Sequence, residues 1–461
     1  MKRFIGNKQF YRMVLIIAIP IMIQNGITNF VGMLDNIMIG RVGTEQMAGV
    51  SIANELMFVF NLAIFGAISG PGIFGAQFFG NGDYEGVRHT FRFKVIIGSI
   101  ISLVGILIFS TIGEQLISLY LHESKEVSNI EAALGYAKDY LRVMLFGLIP
   151  FVASQCYSST LRETGETKVP MIAGIVAVLV NLLFNALLIF GLCGLPKLGA
   201  VGAAIATVIS RFVETLIIII WTHRHTEQNK FIVNAYQTLY IPGSLVKNML
   251  IKGTPLFINE ALWAGGMTMM TQCYSKRGLE VIAGLNIANT ITNLFNIVFI
   301  ALGSAVAIIV GQLLGANKMK EAKETAGKLI FFSVMSCVIV GFAMGLIAPL
   351  FPRIYKVTDN VKYLATNFII IMALSMPFNA CTHASYFTLR SGGKTIVTFL
   401  FDSVFVWVCC VPSAFVLIKF TTLTILPIYL LCRATEIIKC IIGLALVKKG
   451  VWLNNIVVNK S

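Results

Sequence analysis

The sequence predicts an all-α polytopic membrane protein with twelve transmembrane helices in two six-helix lobes. Two observations predict this fold: long apolar segments recur along the whole chain, and the first half of the sequence returns in the second. Hydrophobic residues make up 57% of the chain and charged residues 12%, whereas soluble domains carry roughly 25% charged residues. Because about 20 apolar residues are enough to cross a hydrocarbon core of roughly 30 Å, each segment can span a bilayer. A membrane β-barrel would show short segments of alternating polarity instead.

Twelve segments are predicted to span the membrane, six in each half. In the first half they cover about 13–39, 50–79, 91–112, 136–160, 168–191 and 199–221. In the second half they cover about 249–274, 284–314, 327–349, 363–388, 395–418 and 423–447. We therefore expect an N-lobe at 1–222, a polar and basic cytoplasmic linker at 223–248, and a C-lobe at 249–461. The first segment is too long for the core of a signal peptide, so it is expected to be retained.

The basic residues set the expected orientation and exclude one class of partner. With the N-terminus in the cytoplasm, the inner segments hold more Lys and Arg than the outer loops, among them Arg88, Arg92 and Lys94. The positive-inside rule then predicts that both termini are cytoplasmic. The net charge of +15 is explained by these segments, so no nucleic-acid partner is expected. The nine cysteines lie mostly in apolar segments and form no CxxC pair, which predicts neither disulfides nor a metal cluster.

An internal repeat organises the chain. The stretch from Pro20 to Thr90 returns 235 positions later without a gap. Matching pairs include Pro20 and Pro255, Gly43 and Gly278, Asn54 and Asn289, Gln77 and Gln312, and Gly80 and Gly315. The turn Leu161-Arg162-x-x-Gly165 also returns, as Leu389-Arg390-x-x-Gly393. Repetition at this distance indicates a chain built from two similar halves.

The repeat predicts the architecture of a transporter. Since six spans per copy is an even number, both copies start on the same side of the membrane and are related by an axis along the membrane normal. Two such bundles enclose a central cleft, and rocking one against the other exposes the cleft to alternate sides. The sequence contains no Walker A, GxSxG or HExxH motif. Secondary transport is therefore favoured over ATP-driven transport and over an intramembrane enzyme.

Asp35 is the first candidate for ion chemistry. It lies in the outer third of span one, where an acid costs roughly 2.5–3.5 kcal/mol on insertion scales and should face the bundle interior or a water-filled cavity. A carboxylate in such a place can bind and release H⁺ or exchange it for Na⁺. The alternative is a loop residue just outside the membrane, because Gly40 follows closely.

Asn181, Asn185 and Thr207 form a second group of candidates. The two asparagines are one helical turn apart in span five, so both amides lie on one helix face. Amide oxygens can ligate a hard cation or accept a hydrogen bond from a carboxyl group. The alternatives are an asparagine pair that joins two helices and, for Thr207, a hydroxyl bonded to its own helix backbone.

Glu260 lies near the middle of span seven, between Asn259 and Trp263. Its counterpart in the first half is the neutral Asn25. An acid at the membrane centre beside an indole ring is typical of a site for a cationic substrate or a proton. The alternative is a structural pair with a basic residue from another helix.

Two Arg and Glu pairs recur at equivalent places in spans six and twelve. Arg211 and Glu214 are three residues apart, as are Arg433 and Glu436. This spacing allows an ion pair within one helix, and the recurrence favours a structural role in each bundle. Glu55 and Asp402 are further in-span acids for which the sequence indicates no partner.

These residues together resemble the multidrug and toxic compound extrusion (MATE) family over nearly the full length of the chain. The resemblance rests on the segment 34–40 (Leu-Asp-Asn-Ile-Met-Ile-Gly), the Gly-Ala-Gln-Phe-Phe-Gly run at 75–80, the Leu-Arg-x-x-Gly turns after spans four and ten, and Asn181-x-x-x-Asn185. No single feature is specific to the family. Their order and their repetition together carry the resemblance.

The resemblance implies efflux of organic cations and other drug-like molecules, driven by inward flow of Na⁺ or H⁺ and without a cofactor. It implies that Asp35 is the coupling acid, with Asn181, Asn185 and Thr207 as its shell. Archaeal members carry an Asp where Asn185 stands, so this site has one fewer acid. Some bacterial members carry an acid in span ten, where this chain has Asn379. A monomer in the bacterial inner membrane is expected.

Two rival functions remain open from the sequence. The first is a flippase for lipids or polysaccharide precursors from the same superfamily. Such a cleft should carry many cationic groups to accept phosphates, and the spans hold few. The second is a channel or a non-transporting scaffold, which predicts no dependence on an ion gradient.

Overall fold

The computed structural model describes residues 4–121 and 130–458. Within these ranges the chain forms α-helices joined by short turns and loops, without a β-strand. In chain order the helices are α1 (Lys8–Gly40), α2 (Thr44–Gly80), α3 (Tyr84–Leu121), α4 (Ile130–Phe146), α5 (Leu148–Glu163), α6 (Lys168–Phe190), α7 (Ala200–Arg224), α8 (Gly243–Ser275), α9 (Leu279–Gly315), α10 (Met319–Ile347), α11 (Asp359–Ser391), α12 (Thr395–Phe399), α13 (Val411–Phe420) and α14 (Ile425–Lys449). Two π-helical stretches, Leu400–Val404 and Val406–Cys410, join α12 to α13.

The helices fall into twelve segments, one for each predicted span. α4 and α5 form one segment that bends by 49°, and α12 runs through the π-helical stretches into α13. Among the described residues, nine helical spans are long and apolar enough to cross a membrane, or ten if the bent pair counts as one span. α8 and α14 are not among them, although both are long. In-helix polar residues lower their hydropathy: Asn259 and Glu260 in α8, and Arg433, Glu436 and Lys439 in α14.

Contacts divide the chain into two compact units. The first unit comprises Met1–Met22, Ala76–Asp83 and Met249–Ser461, and the second comprises Ile23–Gly75 and Tyr84–Asn248. Each unit is therefore assembled from separate stretches of sequence. The lobe boundaries predicted at 222 and 249 stay a prediction.

In the second unit, α6 and α7 pack closely, and the asparagine pair lies on the buried face of α6 between them. The buried face of α6 carries residues spaced four apart: Ala173, Ala177, Asn181, Asn185 and Ile189. α7 meets α6 through its small residues, and a Cβ on Gly202 would lie 2.7 Å from the backbone carbonyl oxygen of Leu188. Small residues allow helix backbones in membranes to approach closely. This approach brings Thr207 of α7 within reach of Asn181 on α6.

The segment predicted as a cytoplasmic linker packs onto α3 in the same unit. Phe231 and Ile232 are buried. Arg92 of α3, which the sequence grouped with loop charges, donates hydrogen bonds to the carbonyls of Asn234 at 2.8 Å and Ala235 at 2.7 Å. The segment is thus a folded part of the second unit.

In the first unit, two symmetry-related helix ends cross at their glycines. A Cβ on Gly80 of α2 would overlap the carbonyl oxygen of Gln312 on α9. A Cβ on Gly315 of α9 would overlap the carbonyl oxygen of Gln77 on α2. These residues match at the repeat distance, so the contact is reciprocal, as a two-fold relation requires. The sequence repeat is therefore expressed as a tight crossing that only glycine permits.

Candidate functional site

One chain of hydrogen bonds joins the four residues proposed for ion coupling. Asp35 is half-buried near the end of α1. Asn185 of α6 donates from Nδ2 to Oδ1 of Asp35 at 2.5 Å and to Oδ1 of Asn181 at 3.0 Å. Asn181 donates in turn to Oγ1 of Thr207 on α7 at 3.3 Å. We call these four residues the Asp35 network.

The Asp35 network holds a carboxylate without a cationic partner and an amide oxygen without a donor. In the described part of the chain, no Lys, Arg or His forms an ion pair with Asp35. Asn185 is fully buried, and its Oδ1 has no hydrogen-bond partner. Buried polar atoms are nearly always satisfied, so Oδ1 of Asn185 is available to a donor, which can be water, a proton carrier or a cation. Carboxylate and amide oxygens are the donors that hard cations take, and a protonated carboxyl would supply the missing donor.

In the first unit, Asp402 forms a different kind of site. It lies in the π-helical stretch Leu400–Val404. Lys439 of α14 donates from Nζ to Oδ1 of Asp402 at 2.6 Å, and Asn259 of α8 donates to Oδ2 at 3.1 Å. Ser403 donates to Oδ1 of Asn259 at 2.7 Å and so fixes its amide. We call Asn259, Asp402, Ser403 and Lys439 the Asp402 network, and its two charges cancel.

The three residues predicted for a C-lobe substrate or proton site lie in three different environments in the structure. Asn259 is buried and belongs to the Asp402 network. Glu260 is half-buried and, among the described residues, makes no hydrogen bond and no ion pair within 4.0 Å. Trp263 is exposed on the surface of the first unit. Of the three, Glu260 keeps a carboxylate outside close ion pairs, on which the charge of Arg390 acts. Its predicted role stays a prediction.

The Arg and Glu pairs predicted within α7 and α14 make no close contact, although the charges of Arg211 and Glu214, and of Arg433 and Glu436, act on each other. Their structural role stays a prediction. Arg211 lies over the ring of Phe151, 4.5 Å from its centroid. Arg433 donates to the hydroxyl of Tyr429 at 2.9 Å and 3.1 Å. Neither guanidinium comes within 4.0 Å of Glu214 or Glu436, which share their helices. Spacing by three residues permits a close pair, but an aromatic ring of the same helix, such as Tyr429, or of a neighbouring helix, such as Phe151, can take the cation instead.

The second unit contains a buried ion pair that the sequence did not indicate. Lys94 of α3 is fully buried and donates to both carboxylate oxygens of Glu163 on α5, at 2.6 Å and 2.7 Å. A Cβ on Gly72 would lie 2.7 Å from that carboxylate, and one on Gly75 would overlap it. The glycine-rich run in α2 is therefore the signal that could have revealed it. Lys94 is thus not a solvated charge of a loop.

The same repeat appears when the chain is compared with known families. The family model described as MatE matches residues 20–187 and again residues 255–416. The two matches begin 235 positions apart, which is the distance of the repeat, and together they cover more than half of the chain. The chain belongs to the MatE family. The resemblance drawn from the sequence is therefore confirmed, and this MatE protein is a membrane transporter rather than an enzyme.

Curated relatives match this MatE protein over almost its whole length. It is 24% identical over 447 residues to the "Probable multidrug resistance protein NorM" of Thermotoga maritima, covering 96% of this chain and 94% of the relative. It is also 24% identical over 429 residues to the "Probable multidrug resistance protein YoeA" of Bacillus subtilis, covering 91% and 89%.

Solved structures confirm the fold. A multidrug resistance MATE family transporter of the MOP superfamily, in an outward-facing conformation, superposes with a TM-score of 0.84 at 18% identity. A MOP superfamily transporter from Pyrococcus furiosus gives the same TM-score at the same identity. Each comparison covers 98% of both chains. At this level of identity the similarity shows the fold and not the substrate.

Proposed function

We propose that this MatE protein is a secondary active multidrug transporter, which exports drug-like organic cations in exchange for H⁺ or Na⁺. Two full-length relatives named as multidrug resistance proteins support the substrate class. The single observation that carries the site of coupling is the Asp35 network. There, an uncompensated carboxylate lies beside the unsatisfied Oδ1 of Asn185.

The Asp35 network can take either coupling ion by one local rearrangement. In the structure, Nδ2 of Asn185 donates to the side-chain oxygens of Asp35 and Asn181. Half a turn of this amide about Cβ–Cγ exchanges its nitrogen and oxygen. A proton on Asp35 can then be donated to Asn185, or a Na⁺ ion can be held between the two oxygens. In both cases the added positive charge neutralises a buried negative one.

Coupling follows if the ion and the drug favour different conformations. A ligand shifts an equilibrium only by the difference in its affinity for the two states. The neutralised Asp35 network stabilises one state and the cationic drug the other, so binding of one drives release of the other. This requires no direct contact between the drug and Asp35. Alternating access then converts an inward ion gradient into outward drug transport.

The proposed setting is the inner membrane of a bacterium, with a monomer whose two termini are cytoplasmic. The distribution of Lys and Arg along the sequence supports this orientation. The bacterial relatives support the type of cell.

Drug efflux in everted membrane vesicles tests the proposal, with the Na⁺ and pH gradients imposed separately. Asp35→Asn keeps the shape of the side chain and removes its charge, so we expect gradient-driven transport to be lost while the protein still folds. The matched control is Asp359→Asn, which makes the same change at a fully exposed carboxylate and should transport like the parent protein. Normal gradient-driven efflux by Asp35→Asn would remove the Asp35 network from the coupling mechanism.

A further inference from the structure

A small cavity in the first unit is lined by three cationic side chains. Its volume is about 310 Å³, and its lining consists of Cys273, Lys276, Arg277, Phe415, Ile418 and Lys419. No acidic residue is part of this lining among the described residues. It shares no residue with the Asp35 network or the Asp402 network. We call it the cationic cavity.

Two of the three cations lie over one aromatic ring, and the third is fixed beside them. Nζ of Lys276 lies 5.5 Å from the ring centroid of Phe415, and Nζ of Lys419 lies 5.4 Å from the same centroid. Arg277 is held in place because its Nη2 donates to the carbonyl of Ile418 at 3.0 Å and to that of Thr421 at 2.8 Å. Its Nε is buried and has no hydrogen-bond partner. One guanidinium donor is therefore fixed in position and unused.

The charge of the cationic cavity is not balanced by the protein. In the described part of the chain, none of its three cations forms an ion pair. The acid nearest in sequence, Glu280, bonds instead to Thr358 and Asn360. Like charges gathered in a recess repel one another and attract counter-ions. The arrangement therefore favours an anion.

The cationic cavity lies where two helices end. Lys276 and Arg277 follow directly after the end of α8 at Ser275, and Lys419 is in the last turn of α13. Phe420 ends a candidate membrane span, Thr395–Phe420. The ends of spanning helices lie in the headgroup region of a bilayer, where phospholipid phosphates are concentrated. In the predicted orientation this is the outer side, where Lys and Arg are otherwise sparse.

We propose that the cationic cavity binds the phosphate of an anionic phospholipid. Arg277 donates from its guanidinium group, whose Nε has no partner within the protein, to a phosphate oxygen, as guanidinium groups commonly do. Lys276 and Lys419 neutralise the headgroup, while Phe415 and Ile418 contact the start of an acyl chain. Zwitterionic headgroups bring an ammonium group that three cations repel, so the cavity selects lipids with a net negative charge. This inference is independent of the proposed transport function.

Lipid binding to the full-length protein tests the inference. The purified protein is titrated with phosphatidylglycerol, with phosphatidylcholine, or with inorganic phosphate, and bound lipid is measured by native mass spectrometry. We expect retention of phosphatidylglycerol over phosphatidylcholine. The variant that carries both Lys276→Gln and Lys419→Gln should bind phosphatidylglycerol more weakly, by about fivefold for each lysine removed.

The control variant carries Lys197→Gln and Lys356→Gln, which remove two exposed lysines from loops predicted on the same side of the membrane. It should retain phosphatidylglycerol like the parent protein. Arg277→Lys keeps the charge but loses the fixed Nε donor, and it should bind more weakly than the parent. Equal retention by the double lysine variant and its control would overturn the inference. Displacement of the lipid by equimolar inorganic phosphate would assign the cavity to free anions instead.

Discussion

The Asp35 network and the Asp402 network each contain a carboxylate within a helix. The protein neutralises the charge of Asp402 with a lysine, and it supplies no such cation to Asp35. Asp402 meets the ammonium of Lys439 at 2.6 Å, and every side-chain oxygen of Asn259 and Asp402 has a donor. Asp35 accepts from the neutral amide of Asn185. Oδ1 of that asparagine has no hydrogen-bond donor. Burial alone therefore does not separate the proposed coupling acid from a structural one. The two networks differ in whether the protein itself supplies a cation to the carboxylate.

The repeat shows that these acids do not occupy equivalent positions. At the offset of 228 that relates Arg162 to Arg390, Asp402 corresponds to Gly174. In the second unit the amide of Gln24 lies against Gly174 and accepts a hydrogen bond from Arg162 at 2.7 Å. The counterpart of Asp402 thus has no side chain, and Gln24, the counterpart of Asn259 at the repeat distance, bonds to an arginine instead of an aspartate. The backbone repeats, but the charges placed on it do not.

Removal of Lys439 is expected to have the largest effect on stability. Lys439→Met leaves Asp402 buried without its cation, and breaking such a pair costs about 3–5 kcal/mol. The loss should appear as a large fall in the midpoint of thermal unfolding in detergent. Lys362→Met, which breaks an exposed pair with Asp359, should show no measurable change because exposed pairs contribute little.

The double variant Lys439→Met with Asp402→Asn separates lost charge balance from lost packing. Since both charges are gone, most of the stability should return. A double variant no more stable than Lys439→Met would show that the ammonium matters for its shape and not for its charge. The contrast between the two networks would then lose its basis.

The helices and the repeat were accessible from the sequence because they depend on local properties. The length of an apolar segment predicts a membrane span. Glycines that recur at equivalent positions of the repeat, such as Gly80 and Gly315, indicate that two backbones approach closely. The link between Asn181 and Asn185 was also accessible, since one helical turn separates them. Asp35 was identified as an acid, but its hydrogen bond to Asn185 joins residues 150 positions apart. No local pattern carries that information.

The partners of Asp402, Lys94 and Arg433 could not be predicted from the sequence, for one physical reason. The partner of Asp402 lies 37 positions away, and that of Lys94 lies 69 positions away. Helical periodicity shows which residues share a face but not which faces meet. At Arg433 the spacing suggested Glu436, yet the hydroxyl of Tyr429, one turn earlier, takes the guanidinium. A choice between partners within reach of one side chain depends on packing.

A second carboxylate in the Asp35 network should raise its affinity for a cation and so increase its difference from the Asp402 network. Asn185→Asp places two acids side by side, which repel each other until a cation binds between them. We expect Na⁺ to drive drug efflux at about tenfold lower concentration, which corresponds to about 1.4 kcal/mol. Efflux from everted vesicles over a series of Na⁺ concentrations measures the shift. Asn367→Asp makes the same change at a partly exposed residue of α11 whose amide bonds to its own helix, and a shift of equal size there would point to general electrostatics.

The smallest effect is expected at Thr207, the last member of the Asp35 network. Thr207→Val keeps the shape but removes the hydroxyl that accepts from Asn181 at 3.3 Å, the longest hydrogen bond of the Asp35 network. A single neutral hydrogen bond contributes about 0.5–1.5 kcal/mol, so thermal stability should fall slightly. Efflux at saturating Na⁺ or H⁺ should stay near that of the parent protein, because Asp35 and Asn185 are intact. Loss of transport as complete as in Asp35→Asn would instead make the hydroxyl a ligand of the coupling ion.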